Sequence, residues 1–531
     1  CLLWHAFQNS QDYSGVRSIL VNSELTPPAH LAILTLMHTQ PYGTWESPIS
    51  AAMVAKAGHG LSQLQFVKGT LYWLEQFPEQ SGWSGIQAYI NGEIKLITPP
   101  EFKVRSRVNE YGGGDFCVFE NCIFFVNDLD QRIYQQCAMK LPLPVTPESI
   151  NQSVRYADLS VSPDGQYLLA VRETHHETGD VVNEIVCVYV ADTTVRVLVQ
   201  GQDFYAYPRW SPDGKRVVWV SWSHPQMPWQ GTQLWCADFT HDGLLHQTPL
   251  AGSATESIDQ PQFDQHGHLY FMSDRSGFWN IYKWDDGDII PLCEMERECS
   301  VPFWVFGNTT YKVCDNGDIA VITTEQGQQS VGWIRNGVYK KIKSPYHSIA
   351  PYMAVSDNSI YIIGGHANAL PAVVSIGRQK KSEAIIHASG VCEVPAEALS
   401  TPELLVLPTT DDAVTYAFYY PPTHAAFKAP ANTLPPLIVC CHGGPTAATD
   451  TALNLKIQYW TSRGFAVVDV NYRGSSGYGR AYRNALNGQW GVRDVADCVA
   501  AAEYLIQEKK VNSDAILIRG SSAGGFTVLC A

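Results

Sequence analysis

The sequence lacks the long apolar run that a membrane-spanning helix requires. Its first strongly apolar stretch, HLAILTLM (30–37), has only eight residues, whereas about 20 are needed to cross the hydrocarbon layer. No basic segment followed by a long apolar core is present near the start, so we expect neither a secretory signal nor a membrane partner. We interpret the protein as cytoplasmic.

Positive charge is also scarce, because 36 Lys and Arg stand against 51 Asp and Glu, for a formal net charge of −15. Nucleic acids and anionic membranes attract basic surfaces, so this balance argues against both as partners.

The sequence has no CxxC pair, the spacing typical of a structural zinc site. THHETGD (174–180) is interpreted as a hairpin loop. We expect no metal ion and no cofactor.

A disulfide framework is not favoured by the cysteines, although there are 14 of them. They are scattered, and several lie in apolar runs, namely Cys122, Cys187, Cys440 and Cys498. Buried free thiols are the favoured interpretation in a chain of this size.

The first 36 residues show no clear period and precede Met37, the first methionine. We interpret residues 1–36 as an N-terminal extension that need not be native.

A β repeat of about fifty residues fills the chain as far as residue 398. SVSPDGQYLLAVRE (160–173) and RWSPDGKRVVWVSW (209–222) each place an Asp-Gly turn before an apolar run, which is a strong hairpin signal. Weaker copies occur at spacings of 42 to 53 residues. The last turn residues of the copies are Gly69, Cys122, Gly165, Gly214, Gly267, Gly317 and Ser359. Seven such units predict a seven-bladed β-propeller over residues 37–398; paired β-sandwiches would show shorter spacing.

The pattern changes at about Leu399. The runs Leu437–Cys441 and Phe465–Val470 are short and nearly all apolar, which is typical of parallel strands buried on both faces. Apolar residues of 493–510 recur with the period of one helix face. Alternating strands and helices predict a doubly wound α/β domain over residues 399–531.

The segment GSSAG (520–524) places Ser522 between an apolar run, Ala515–Ile518, and residues suited to begin a helix. This strand–turn–helix context is that of a nucleophile elbow. A serine nucleophile needs a base for its proton and donors for the oxyanion. We predict the backbone N–H groups of Ala523 and of Gly443, or else Gly444, as donors. The alternative for HGG (442–444) is a plain glycine turn.

In this fold the acid and the histidine of a catalytic triad follow the serine in the chain. The nine residues after Ser522 contain neither. We therefore expect residues 399–531 to be a catalytic domain that is incomplete at its C-terminus, and the 531-residue chain to be inactive. A central strand left at the sheet edge would also make this chain prone to aggregation.

Together these motifs resemble the prolyl oligopeptidase family of serine peptidases, and most closely its acylaminoacyl-peptidase or dipeptidyl-aminopeptidase-like branch. The motifs are HGGP (442–445), NYRGSSGYGR (471–480), NGQWGVRDVADC (487–498), RGSSAGGF (519–526), PYGTWESPIS (41–50), RVNEYGGG (107–114) and WSPDG (210–214). The resemblance implies a propeller capping an α/β-hydrolase domain, with Ser522 as nucleophile and Gly443 and Ala523 as the oxyanion hole. It also implies short peptide substrates, because the propeller screens the site from folded proteins. His442 stands where other branches have a tyrosine, which favours the acylaminoacyl type.

Three further residues are candidates for binding substrate. Glu110 would bind a substrate amine if its loop faces the catalytic domain; a solvated or turn-capping Glu is the alternative. Arg473 holds either a substrate carbonyl or a structural carboxylate, and His442 is the third candidate. The predicted function is a serine peptidase acting on short peptides, with a carboxylesterase or a non-catalytic peptide-binding propeller as alternatives. A homo-oligomer is left open.

Overall fold

The computed structural model describes residues 37–56, 58–138, 140–378, 382–409 and 411–531. The predicted N-terminal extension, residues 1–36, lies outside them. His38–Ala531 form one compact unit. Across the described ranges, no helix has the length and apolar character needed to cross a membrane.

The described chain begins with strand β1 (His38–Thr39) and helix α1 (Ala51–Ala55). His38 pairs in parallel with Phe427, and Ser47 Oγ lies 2.7 Å from Ser462 Oγ. The segment before the propeller therefore packs against the second predicted domain. The predicted limits of the two domains, at 37–398 and 399–531, stay a prediction.

Seven four-stranded sheets follow, each built from four consecutive antiparallel strands. The predicted seven-bladed β-propeller is confirmed. The strands of blades one to four are β2 (Gly60–Val67), β3 (Thr70–Phe77), β4 (Trp83–Ile90), β5 (Glu93–Leu96), β6 (Phe116–Phe119), β7 (Cys122–Val126), β8 (Ile133–Cys137), β9 (Leu143–Pro144), β10 (Val154–Val161), β11 (Tyr167–His175), β12 (Val181–Tyr189), β13 (Val195–Val199), β14 (Phe204–Trp210), β15 (Arg216–Trp222), β16 (Thr232–Thr240) and β17 (Gly243–Ser253). Those of blades five to seven are β18 (Ile258–Phe263), β19 (Leu269–Ser273), β20 (Asn280–Asp285), β21 (Asp288–Pro291), β22 (Tyr311–Val313), β23 (Ile319–Glu325), β24 (Gln328–Arg335), β25 (Val338–Lys341), β26 (Ser348–Val355), β27 (Ser359–His366), β28 (Ala369–Gly377) and β29 (Glu383–Ala388).

Each predicted turn residue lies between the first and second strand of a blade or begins the second strand. The SPDG turns show why this sequence folds locally. Ser211 Oγ donates to Asp213 Oδ1, which also accepts from the backbone N–H of Lys215 at 3.1 Å. Gly214 then takes a φ of +71°, a conformation that costs glycine little.

The interpretation of Cys122 as a free thiol is wrong, because Cys122 and Cys137 form a disulfide. The two residues are directly opposed in the antiparallel pair β7–β8, a proximity that the scattered sequence positions do not reveal. The other cysteines predicted to be free, Cys187, Cys440 and Cys498, are free in the structure.

The second part of the unit contains a five-stranded sheet in the order β30–β31–β34–β33–β35. The three strands β33, β34 and β35 are parallel, and β30 and β31 extend one edge in antiparallel fashion. The elements are β30 (Glu403–Pro408), β31 (Val414–Tyr420), β32 (Phe427–Lys428), β33 (Leu437–Cys441), α2 (Leu455–Thr461), β34 (Ala466–Asn471), α3 (Arg480–Asn484), α4 (Arg493–Gln507), β35 (Ile516–Gly520) and α5 (Ala523–Cys530). The predicted α/β class is confirmed, and α4 ends three residues before the predicted limit of 510.

A buried ionic cluster joins the propeller to the α/β domain. Arg480 and Arg483 of α3 both contact the Asp274 carboxylate, the second through Nη2 at 2.6 Å. Glu298 Oε1 lies 3.6 Å from Arg483 Nη1, and the Arg483 guanidinium lies 4.1 Å from the centre of the Trp279 ring. Charges removed from water persist only where they are paired, so this cluster fixes how α3 sits on the propeller.

Candidate active site

Ser522 lies in the turn between β35, which ends at Gly520, and α5, which begins at Ala523. Its backbone has φ +54° and ψ −123°, a conformation that residues with a side chain rarely adopt. The strand–turn–helix geometry and the strained serine are those of a nucleophile elbow. The turn presents the Ser522 hydroxyl at the N-terminal end of α5.

Two glycines allow this turn to pack against the end of β33. A methyl group added to Gly524 would overlap the carbonyl oxygen of Cys441, and one added to Gly520 would overlap that of Gly524. Any side chain at either position would therefore push α5 away from β33.

Gly443 borders Ser522. A Cβ atom built on Gly443 would lie 3.4 Å from Ser522 Cβ and 4.0 Å from Ser522 Oγ. Within the described residues, the N–H groups of Gly443 and Ala523 donate no hydrogen bond. The predicted nucleophile and the two predicted oxyanion donors thus lie side by side, which is the arrangement that acyl transfer requires.

Tyr472 orients the Gly443 donor, a role that the sequence did not indicate. The Tyr472 hydroxyl donates to the carbonyl oxygen of His442 at 2.7 Å. That carbonyl and the Gly443 N–H belong to one planar trans peptide and point in opposite directions. The hydrogen bond from Tyr472 therefore fixes the direction of the Gly443 N–H.

His442 is engaged within its own loop. Its Nδ1 lies 2.8 Å from Gly443 O, its Nε2 lies 2.7 Å from Ser475 Oγ, and its ring stacks on Tyr472 at 4.4 Å. Burial lowers the pKa of His442 to about 4, although the hydrogen bond to Gly443 acts in the opposite direction. Because a carbonyl oxygen only accepts, the proton of the neutral ring is on Nδ1, which donates to Gly443 O. These contacts order the loop; substrate binding by His442 stays a prediction.

Arg473 contacts two carboxylates. Its Nη2 lies 2.7 Å from Asp497 Oδ1, and its Nη1 lies 2.6 Å from Asp411 Oδ2. The Arg473 side chain is only 5% exposed. Of the two alternatives stated for Arg473, these contacts support the structural carboxylate, and nothing in them supports a substrate carbonyl.

The loop that carries Glu110 lies on the propeller face that meets the α/β domain. The ring of Tyr111 lies 5.6 Å from that of Trp304, and Trp304 Nε1 donates to Thr446 O at 2.8 Å. Thr446 is three residues after Gly443. The condition attached to Glu110, that its loop face the catalytic domain, is met by these contacts.

Glu110 is an exposed carboxylate in this loop. Its Oε1 lies 2.7 Å from Arg155 Nη1, and its side chain is 74% exposed. The hydrogen bond from Arg155 holds the pKa of Glu110 below its usual value. Arg155 also contacts the buried Glu173 at 3.2 Å. One guanidinium thus contacts two carboxylates, of which only that of Glu110 is exposed to solvent.

Three aromatic residues near the site were missed by sequence reasoning: Tyr111, Trp229 and Trp304. The rings of Trp229 and Trp304 lie 4.5 Å apart. Tyr111 lies inside a motif that had been singled out, but Trp229 and Trp304 lie in connections without a repeat pattern. Only the closed propeller brings them together.

Comparisons with known proteins agree with this architecture. The Prolyl oligopeptidase family model matches residues 451–531. Dipeptidyl aminopeptidase BIII of Pseudoxanthomonas mexicana is 35% identical over 94 residues, and the acylamino-acid-releasing enzyme of Sus scrofa is 39% identical over 99 residues. These two alignments cover 18% and 19% of this chain but only 14% of the length of each relative.

A solved structure extends the relationship to the whole described unit. The structure of a Mycobacterium tuberculosis puromycin-hydrolysing peptidase matches with a TM-score of 0.88 and 33% sequence identity. The match covers 93% of this chain and 78% of that chain. This similarity extends over both the propeller and the α/β domain, and the family model matches the segment that contains Ser522. The chain therefore belongs to the prolyl oligopeptidase family of serine peptidases.

Proposed function

We propose that the protein hydrolyses short peptides as an acylaminoacyl- or dipeptidyl-type peptidase, through an acyl-enzyme on Ser522. The observation that carries this proposal is the strained elbow at Ser522, with the unpaired N–H groups of Gly443 and Ala523 beside it. The propeller lies over this site and restricts substrates to short chains.

The proposed reaction begins when Ser522 Oγ attacks the scissile carbonyl carbon and gives its proton to a general base. The oxyanion accepts hydrogen bonds from Gly443 and Ala523, each worth about 3 kcal/mol in the transition state. Collapse expels the amine, which takes the proton from the base, and water then hydrolyses the ester. Ser522 Oγ forms no capping hydrogen bond with α5, and the two ring nitrogens of His442 contact Gly443 O and Ser475 Oγ instead, so we expect the 531-residue chain alone to be inactive. Family chain order assigns the base to a histidine after the serine.

Fluorophosphonate labelling of the protein in its source tests this proposal, because the probe reacts only with an activated serine. We expect the label on the peptide that contains Ser522. The expressed 531-residue chain and its Ser522→Ala variant should both stay unlabelled. Absence of label at Ser522, while other serine hydrolases of the same extract react, would overturn the proposal.

We propose further that Glu110 binds the α-ammonium group of a substrate with a free N-terminus. Its exposed carboxylate, its lowered pKa and the adjacent aromatic rings of Tyr111 and Trp304 support this role. A cation is attracted both to such a carboxylate and to aromatic faces. This contact would favour dipeptidyl-type substrates over N-acylated ones.

A matched pair of substrates tests the role of Glu110: a dipeptide anilide with a free amine and the same anilide N-acetylated. In the active protein, Glu110→Gln should raise KM for the free amine about tenfold, the effect of losing one charge-assisted hydrogen bond. The acetylated substrate should be unaffected. Equal effects on both substrates would contradict amine recognition, and cleavage of simple esters alone would contradict the peptidase proposal itself.

A further inference from the structure

Three side chains that the proposed function does not use meet where the first blade of the propeller adjoins the seventh. They are His59, directly before β2, Glu75 in β3 and His387 in β29. Glu75 Oε1 lies 2.7 Å from His59 Nδ1 and 2.8 Å from His387 Nε2. Glu75 is 1% exposed, whereas the two imidazole rings are 31% and 24% exposed. A buried carboxylate oxygen thus lies between two solvent-accessible ring nitrogens.

The second nitrogen of His59 also faces a carboxylate. His59 Nε2 lies 3.3 Å from Glu79 Oε1. A neutral imidazole carries one N–H donor and one lone pair, so it can donate to only one of the two carboxylates. Its other nitrogen would then place a lone pair against a carboxylate oxygen. A metal ion bound at Nδ1 would remove this conflict, because the proton of the neutral ring would then be on Nε2, which faces Glu79.

The contacts around these three side chains share two features with metal centres. Ligating histidines commonly donate their outer N–H to a carboxylate, and ligating carboxylates are hydrogen-bonded in turn. Glu79 is the carboxylate that faces the outer nitrogen of His59. The Glu75 carboxylate is hydrogen-bonded by Trp73, whose Nε1 donates to Glu75 Oε2 at 3.2 Å. The Phe77 ring lies 4.6 Å from that of His59 and restrains it.

We propose that His59, Glu75 and His387 bind one divalent transition-metal ion, with water completing its coordination. The three ligand atoms all lie within 4.8 Å of one another. Metal–ligand bonds are about 2.0–2.2 Å long, so small side-chain rotations that widen the two N···O contacts would admit an ion. Two imidazoles and one carboxylate are a ligand set that suits zinc. No sequence spacing announces this site, because His387 lies 312 residues after Glu75.

Such an ion would fasten the propeller ring at the place where its two ends meet. The described blades exchange no strand, and the His59 N–H donates to Ser389 O across the same seam at 2.7 Å. A ligand that binds the folded state and not the unfolded state adds stability. Zinc binding should therefore stabilise the propeller independently of any catalytic activity.

The test uses the 531-residue chain, treated with a chelator and then titrated with ZnCl₂ against a chromophoric zinc indicator. We expect one equivalent to bind and the thermal midpoint to rise. CoCl₂ in place of zinc should produce visible d–d bands without a thiolate charge-transfer band, because the proposed ligands contain no sulfur. A strong thiolate band would place the metal on the cysteines and overturn the assignment.

Variants locate the site. Glu75→Gln and His387→Gln should each weaken zinc binding at least tenfold and remove the zinc-dependent rise of the thermal midpoint. His246→Gln is the matched control, since it removes an exposed histidine that pairs with Asp238 at 2.8 Å but belongs to no cluster. His387→Asn serves as a second variant if the glutamine form does not fold. Unchanged zinc binding in these variants would place the metal at another site, and no binding by the wild-type chain would show that the three residues hold no zinc; either result would overturn the proposal.

Discussion

Tyr472 illustrates how a residue without contact to substrate can control the proposed chemistry. Its hydroxyl holds the peptide whose N–H end is the Gly443 donor. Tyr472→Phe should lower kcat about tenfold, since a hydrogen bond of this kind is worth about 1–1.5 kcal/mol. KM should change little, because the donor acts on the oxyanion and not on the bound ground state. Steady-state kinetics of the active protein on an anilide substrate measure both constants.

The chain offers a matched control for this variant. Tyr482 is half-buried, and its hydroxyl donates to a backbone carbonyl, that of Asn471, at 2.6 Å. Tyr482→Phe should cost similar stability without the selective loss of kcat. If both variants lower kcat equally, Tyr472 supports the fold and does not position the donor.

Asp259 gives a prediction about pH. The residue is fully buried, its Oδ2 accepts from Ser300 Oγ at 2.7 Å, and its Oδ1 has no partner among the described residues. Burial, reinforced by the nearby carboxylates of Asp274 and Glu298, raises the pKa of Asp259 to about 7. The folded state therefore retains a proton that the unfolded state releases above about pH 4.

Because the folded pKa is raised, the free energy of unfolding falls as the pH rises from about 4 to about 7. Asp259→Asn cannot ionise and should remove this dependence, so the variant gains stability relative to wild type by up to about 4 kcal/mol at alkaline pH. Denaturant unfolding of both proteins at about pH 5 and about pH 8 gives the difference. Parallel pH dependences would show that Asp259 does not titrate in this range.

The sequence predicted the roles of residues that lie within a local motif. It did not predict the roles of residues that reach the site from other parts of the chain. The glycines around Ser522 predict a nucleophile elbow, and the HGGP segment predicts a loop that carries an oxyanion donor, because such turns require glycine. Tyr472 and Trp304 contact the same loop from other elements, with no spacing that relates them to it. Arg473 was left with two alternatives, since only the structure shows its two carboxylate partners.

At the scale of elements, periodicity located the strands and helices well where one face is buried. The strand predicted at Leu437–Cys441 has those bounds in the structure, and the Asp-Gly turns fall between paired strands. Cross-strand pairing was not predictable, and the disulfide Cys122–Cys137 depends on it. Loop length and strand register determine which residues lie opposite each other in a hairpin, and apolar patterns do not specify either.

The edge strand β35 carries a prediction about association. In the described chain β35 pairs only with β33, and Leu517 on it is 49% exposed. An apolar strand with free backbone groups is a template for pairing between chains. We expect the 531-residue chain to aggregate and Leu517→Lys to reduce this, as measured by light scattering at matched concentration.

A control separates edge pairing from general apolar exposure. Leu529, on α5, is 88% exposed but lies on no strand. Leu529→Lys removes as much exposed apolar surface and should leave aggregation almost unchanged. Equal improvement by both variants would assign the aggregation to apolar surface, and a monodisperse wild-type chain would contradict the prediction altogether.

At the scale of the whole molecule, the proposed function depends on how firmly the propeller is held over Ser522. Sequence patterns predicted the propeller and the α/β domain but not the ionic contact that joins them. Asp274 and Glu298 are separated from α3 by about two hundred residues. In the structure these carboxylates contact the two arginines of α3. Asp274, Glu298 and Arg483 are at most 1% exposed and Arg480 is 18% exposed, so the buried members depend on their partners.

Asp274→Asn tests this joint. The variant replaces the carboxylate oxygen that faces Arg480 and Arg483 with an amide, which leaves two buried guanidinium groups without their shared counter-charge. Removing one partner of a buried ion pair costs about 3–5 kcal/mol. We expect calorimetry to resolve the propeller and the α/β domain as two separate transitions in the variant, where the wild type shows a single one.

The matched control is Asp318→Asn, which breaks an ion pair on the propeller surface. Asp318 Oδ2 lies 3.0 Å from Arg335 Nε, and that arginine is 51% exposed. Exposed pairs of this kind are worth no more than about 1 kcal/mol, so the single transition should persist. If Asp274→Asn also unfolds in one transition at the wild-type temperature, the apolar contacts between the domains hold the propeller in place. Access of substrate to Ser522 would then be controlled elsewhere than at α3.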